Sequence, residues 1–96
     1  MKPSDALMAH RPELRELVRS HGLKRPRVYG SVLTGTDTDE SDLDLLVDAT
    51  ETTTLFTLAR LEHAAHELLG VRVSVLTPGF LPAKVRDRVV EGAEPL

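Results

Sequence analysis

Two carboxylates, Asp42 and Asp44, open an apolar run at residues 43–48, and ten residues separate Asp42 from the dipeptide Gly30-Ser31. Side chains alternate across a strand. With residues 43–48 extended, Leu43, Leu45 and Val47 face one way, and Asp42, Asp44, Leu46 and Asp48 face the other. Both carboxylates then leave the sheet on one side, near the strand start. The apolar side needs a cover, which points to a sheet carrying helices on one face.

The flanking sequence supplies those helices. Residues 12–21 read as a first helix, with Pro12 suited to the first position because its missing N–H has no partner there. Leu14, Leu17 and Val18 form its apolar stripe, and Gly22 is a natural stop. Residues 4–9 add an earlier helical turn. Residues 27–30 form a short strand, and Gly30 and Gly35 bracket a turn-rich loop that runs to Ser41. Thr52, Thr53 or Thr54 caps a second helix that ends at Gly70, with Leu55, Leu58, Leu61, Ala65 and Leu68 at helical spacing.

Residues 71–76 form a third strand, with Val71, Val73 and Val75 on the buried face and Arg72, Ser74 and Leu76 opposite. Thr77-Pro78-Gly79 turns the chain into a last helix over 82–91. Val85 and Val89 face inward there, and Lys84, Arg86 and Arg88 form a solvated side. The expected fold is a small α/β (α+β) domain spanning residues 1–96. It has a mixed β-sheet flanked by helices in the order helix–strand–strand–helix–strand–helix.

With 96 residues the core is modest. No Cys is present, so disulfides and thiolate metal sites are excluded. A net charge of −3 argues against broad electrostatic binding of nucleic acid. No Lys or Arg lies between Arg27 and Arg60, an interval that holds Asp37, Asp39, Glu40, Asp42, Asp44, Asp48 and Glu51. Residues 37–40 read as a solvated loop. No signal peptide or bilayer-spanning run is expected, so the chain reads as soluble and cytoplasmic, without a membrane partner. Self-association is left open.

The chemistry concentrates at the two ends of the central loop. Like charges about 4 Å apart repel by about 4 kcal/mol at an effective dielectric near 20. Two carboxylates fixed on one strand face therefore raise a pKa or bind a cation. Carboxylate oxygens suit Mg²⁺, which takes one or two of them together with substrate phosphates. Glycine at position 30 lets the backbone approach a phosphate, and the Ser31 N–H and hydroxyl can donate to it. A helical turn at 31–34 would add favourable partial positive charge. Ser41 either tethers the loop or touches a nucleotide. His63 and His66 lie three apart, but neighbouring Glu62 and Glu67 mark a wet helix face rather than a metal site.

At Arg27-Val28-Tyr29-Gly30-Ser31, Gly35 and Ser41-Asp42-Leu43-Asp44-Leu45-Leu46-Val47 the chain resembles the minimal nucleotidyltransferases of the DNA polymerase β-like superfamily. The likeness continues through Leu69-Gly70-Val71 and Leu76-Thr77-Pro78. It implies a compact mixed sheet with helices, and transfer of a nucleoside monophosphate, usually AMP from ATP, with Mg²⁺. It also implies a protein acceptor and an antitoxin role against a small helical HEPN-type toxin. By resemblance Gly30, Ser31 and Ser41 bind the nucleotide, while Asp42 and Asp44 are catalytic and hold the metal. The family places a third carboxylate where this chain has Ser74, within Val73-Ser74-Val75. That carboxylate normally helps hold the metal and takes a proton from the attacking hydroxyl. Many members also carry a basic residue near Thr34. A second reading therefore stands beside the first: a catalytically weakened antitoxin that neutralises its partner by binding.

Overall fold

The computed structural model describes all 96 residues. Helix α1 (Pro3–Ser20) leads into β1 (Lys24–Tyr29), a single helical turn α2 (Ser31–Thr34) and β2 (Leu43–Asp48). Helix α3 (Leu55–Leu69) and β3 (Val73–Leu76) follow. A 3₁₀ turn (Pro78–Phe80), α4 (Ala83–Gly92) and a two-residue strand β4 (Glu94–Pro95) complete the chain. The sheet order is β3-β2-β1-β4. Strand β2 runs antiparallel to β1 and parallel to β3, and β4 pairs antiparallel with β1. This is the mixed sheet with flanking helices that the sequence implied.

The alternation along β2 decides where the core sits. Leu43, Leu45 and Val47 are fully buried, and they join Val73 and Val75 of β3 in one cluster with Leu14 and Val18 of α1 and Leu58, Leu61 and Ala65 of α3. Burying each such Leu or Val contributes about 1.5–3 kcal/mol relative to exposure. Helices α1 and α3 pack on each other as well as on the sheet. Leu46, on the carboxylate face, is also fully buried but lies outside that cluster.

Helix α3 obeys its local signals. The Thr54 side chain accepts the Thr57 N–H, and the Thr57 hydroxyl accepts the Thr54 N–H at 3.1 Å, which closes a capping box. Gly70 ends the helix in the left-handed conformation. Helix α1 departs from expectation. It starts at Pro3, and Pro12 lies inside it, where His10 breaks the helical dihedrals. Proline at 12 removes the N–H that would bond to the carbonyl of Met8, so the helix bends and then resumes.

Three other expectations change. Strand β1 begins at Lys24, with a register irregularity between Lys24 and Arg27 and a left-handed Arg25. The 37–40 loop is not wholly solvated. The Asp37 carboxylate is buried and accepts the Ser4 N–H at 2.9 Å, so it caps the first turn of α1 from 33 residues away. Arg86 is not on a solvated face either. Its guanidinium donates to the carbonyls of Pro78 (2.8 Å) and Leu81 (2.9 Å) and ties α4 to the 3₁₀ turn. Val85 and Val89 are only half-buried, so α4 lies against the outside of the fold.

Candidate active site

The strand register lines up one row of side chains. Tyr29 of β1 pairs with Asp44 of β2, and Asp44 pairs with Ser74 of β3. Paired residues share a sheet face, so Tyr29, Asp44 and Ser74 stand side by side, with Asp42 two residues before Asp44 on the same side. Gly30 follows Tyr29 at the end of β1. Its φ of 77° is left-handed, and a Cβ there would overlap the Asp44 carboxylate and lie 3.1 Å from its Cγ. Only a residue without a side chain lets the turn meet that carboxylate.

Ser31 then opens α2. The first N–H groups of any helical turn have no partner within it, so those of Ser31 and Val32 are available to an acceptor. The turn is closed by Thr34 N–H donating to Gly30 at 3.2 Å and Thr36 N–H donating to Ser31 at 2.9 Å. The Thr34 hydroxyl is spent on its own turn and on Thr36. Ser41 is tied down too: its Oγ accepts the Thr38 N–H at 2.9 Å. The structure thus brings Gly30, Ser31, Asp42 and Asp44 to one end of the sheet and uses the Ser41 hydroxyl to hold the loop beside them.

Electrostatics at this end are strained. Burial pushes the Asp44 carboxyl up from its ordinary value of 3.8, and the neighbouring charge of Asp42 adds to the shift. The Tyr29 phenol is pushed up to about 12 by burial and then by Asp44, so it stays neutral beside the carboxylates. Asp48, further along the strand, is neutralised: Arg27 lies 2.5 Å from it and Arg25 3.4 Å.

Asp42 has a less complete partner. Its Oδ1 is 2.9 Å from Arg72 Nε, yet that buried oxygen meets no donor in hydrogen-bonding alignment. Distance makes the contact an ion pair; the angle denies it a directed bond, and the angle governs whether a lone pair is satisfied. The Arg72 guanidinium is held in place by donating to the Glu40 carbonyl at 2.9 Å. An orphaned carboxylate oxygen beside a second, charge-strained carboxylate fits a hard divalent cation. No group of three or more His, Cys, Asp or Glu is placed to hold a metal. The donor set is therefore two carboxylates, which suits Mg²⁺ completing its shell with water and phosphate.

Beside this pair lies a cleft of about 490 Å³ between α3 and the open edge of β3, lined by Asp42, Ser74, Arg72, Glu62, His63 and His66 among others. Gly30 and Ser31 do not line it. Sequence reading missed Arg72 and Tyr29. The signal for both is strand register: Arg72 precedes Val73, which pairs with Leu43, and Tyr29 pairs with Asp44. No helix is long and apolar enough to cross a membrane.

Known proteins resemble this chain over most of its length. The nucleotidyltransferase domain family matches residues 7–95. The protein adenylyltransferase MntA of Thermococcus cleftensis is 34% identical over 84 residues, which are 88% of this chain and 82% of MntA. A candidate protein adenylyltransferase of Methanocaldococcus jannaschii is 34% identical over 77 residues, 80% of this chain and 83% of its own. The solved structure of a candidate minimal nucleotidyltransferase superposes with a TM-score of 0.86 at 42% identity, covering 97% of this chain and 95% of that one. A toxin–antitoxin crystallised with AMP-PNP shares the fold, with a TM-score of 0.75 at 21% identity over 88% of this chain and 69% of that one. The chain belongs to the nucleotidyltransferase domain family, among its minimal nucleotidyltransferases.

Proposed function

We propose that residues 1–96 act as one minimal nucleotidyltransferase domain that moves AMP from ATP, with Mg²⁺, to a hydroxyl of a protein acceptor. In this reading the acceptor is a small helical HEPN-type toxin that the chain restrains. Gly30 and Ser31 bind the terminal phosphates, and Asp42 and Asp44 hold the metal. Ser41 fixes the loop at the nucleotide's edge. Bound there, Mg²⁺ would neutralise triphosphate charge and stabilise the charge that develops during transfer. The named activity of the Thermococcus relative supports the transfer chemistry. The observation that carries the reading is the close approach of Gly30 to the Asp44 carboxylate, which supports a turn that binds phosphate beside a side chain that binds metal.

The test is transfer of label from α-labelled ATP to a purified small helical HEPN-type toxin. Transfer should require Mg²⁺ and vanish in Asp42→Ala and in Asp44→Ala. No labelling by the wild-type chain with any of the four nucleotides rejects the enzyme reading.

One observation favours the second reading, in which the chain neutralises its partner by contact. Ser74 sits next to Asp44 where a carboxylate would complete the metal site. A missing base typically removes about 10²- to 10⁴-fold of rate. In this reading Ser74→Asp raises transfer steeply, and an Asp42→Ala, Asp44→Ala double variant still neutralises the partner.

A further inference from the structure

Two clefts meet at Arg72: the one beside Asp42 and Ser74, and one of about 540 Å³ beside Asp39, Glu40 and Ser41. Arg72 is the one Lys or Arg in either lining. The parallel register sets it there. Leu43 pairs with Val73 and Asp44 with Ser74, so Asp42 stands abreast of Arg72 one step earlier. The Leu43 N–H donates to the Arg72 carbonyl at 2.9 Å and pins that backbone. Val73 and Val75 are buried in the core, so alternation turns Arg72 and Ser74 onto the face that carries Asp42 and Asp44. The tip of the guanidinium is fixed as well, because Nη2 donates to the Glu40 carbonyl at 2.9 Å.

Arg72 Nε lies 2.9 Å from Asp42 Oδ1 without aligning on it. The Asp42 carboxylate therefore has a counter-charge and keeps a lone pair free. The two flanks of the carboxylates differ. On the β1 side stands the Gly30-Ser31 turn, and on the β3 side stand the neutral Ser74 hydroxyl and the Arg72 cation. Where two metal ions share a phosphoryl-transfer site they lie about 3.5–4 Å apart and clamp the attacking and leaving oxygens. A second ion here would need a carboxylate on the β3 side, where the strand offers a hydroxyl. It would also crowd a guanidinium of like charge. No third Asp, Glu or His joins the pair to hold it.

We propose that this site takes a single divalent ion, held by Asp42 and Asp44, and that the Arg72 guanidinium supplies the second positive charge from the β3 side. The inference rests on the transferase reading and deepens it. Arg72 is a positioning residue that acts through Asp42. It offsets the charge of that carboxylate and steadies it at the β3 flank, while the unaligned oxygen stays open to the ion. A guanidinium is charged at every working pH. Being part of the chain, it is in place before any nucleotide arrives.

The experiment titrates Mn²⁺ into the chain saturated with a non-cleavable ATP analogue and follows electron paramagnetic resonance. The wild type is expected to hold one ion, with the spectrum of an isolated Mn²⁺ and without the coupling of two ions about 4 Å apart. Neither Arg72 nor Ser74 is buried, so substitutions there leave the core intact. Arg72→Lys keeps the charge and should also hold one ion. Ser74→Asp adds a carboxylate on the β3 side, and Arg72→Gln removes the cation. The double variant should bind a second ion and show the coupled spectrum. Ser74→Asp alone keeps the guanidinium and should bind that second ion about 5-fold more weakly, as one exposed charge contact allows. A coupled two-ion spectrum in the wild type overturns the proposal. So does a double variant that gains no second ion, or that binds it no better than Ser74→Asp alone. Those results leave the transferase reading standing. If the wild type with the analogue binds no Mn²⁺ at all, that reading fails first and the proposal with it.

Discussion

Asp37 and Asp44 lie seven residues apart, on either side of Ser41, and their carboxylates do opposite work. The Asp37 carboxylate is held below its ordinary value of 3.8, chiefly by the Ser4 backbone N–H. Its charge is wanted by the fold, because it satisfies donors at the start of α1. The Asp44 carboxyl is held above 3.8 by burial and by Asp42. Its charge is unwanted by the metal-free fold, and under the proposed function a cation from solution would offset it. One acidic stretch thus divides into a structural part and a part to which the proposed function gives the chemistry. The divider is backbone geometry: the loop doubles back to α1 at residue 37 and enters the sheet at residue 43.

The largest predicted effect strikes the reactive part. Gly30→Ala puts a Cβ into the Asp44 carboxylate at a left-handed backbone position. The dihedrals alone, φ 77° with ψ −151°, cost a residue with a side chain about 1–3 kcal/mol, and Asp44 has to rotate away from the turn. Displacing a reacting group by about 1 Å costs about 10²-fold in rate. Transfer should therefore fall by at least that factor, and Tm should fall as well. A Gly30→Ala chain with undiminished transfer would separate the turn from the carboxylate and dissolve the reactive half of the comparison.

The structural part answers to a different measurement. Asp37→Ala removes the acceptor for Ser4 N–H and should lower Tm, while Mg²⁺·ATP binding stays unchanged. Asp39→Ala, which loses only an exposed contact with the amino terminus at 3.6 Å, should leave Tm nearly where it was. The sign of the pH dependence follows from the lowered pKa. The Asp37 contribution is fully present above 3.8 and is lost as pH falls through the depressed value. Urea unfolding at stepped pH should show the gap between wild type and Asp37→Ala closing only below 3.8. Equal stability of Asp37→Ala and Asp39→Ala at pH 7 would return the whole 37–40 loop to solvent.

Residues whose partners are near in sequence were legible from the sequence. Thr54 and Gly70 bracket α3 because capping is local, and β2 matches residues 43–48 because alternation is local too. The short turn at 31–34 follows from Gly30 and Gly35. Long-range partners were not legible. Asp37 reaches Ser4 across 33 residues, and Arg72 reaches Glu40 across 32. Nothing in the composition of 37–40 separates a capping aspartate from a solvated one. The start of α1 was misplaced because Pro3 and Pro12 carry the same signal. A proline tolerated at a first turn and a proline that bends a helix differ only in what precedes them. The alignment of Ser74 with Asp44 and Tyr29 needed the register.

The smallest predicted effect has the most informative sign. Asp44→Asn removes a charge that the metal-free fold disfavours. A raised carboxyl pKa carries a penalty present above the folded value, and that penalty fades as pH falls toward 3.8. Asp44→Asn should therefore stabilise the metal-free chain at pH 7, by less than about 1 kcal/mol because the side chain is partly solvated. The gain should vanish in acid, the reverse of the Asp37 pattern. Adding Mg²⁺ and ATP inverts the ranking. A ligand that binds only the folded wild type at 100 times its Kd adds about 2.7 kcal/mol, and Asp44→Asn forgoes most of it. Chelating the metal with EDTA restores the original order. A chain destabilised by Asp44→Asn without metal would mean that the carboxylate already holds a bond within the fold, leaving the two acidic regions no different in kind.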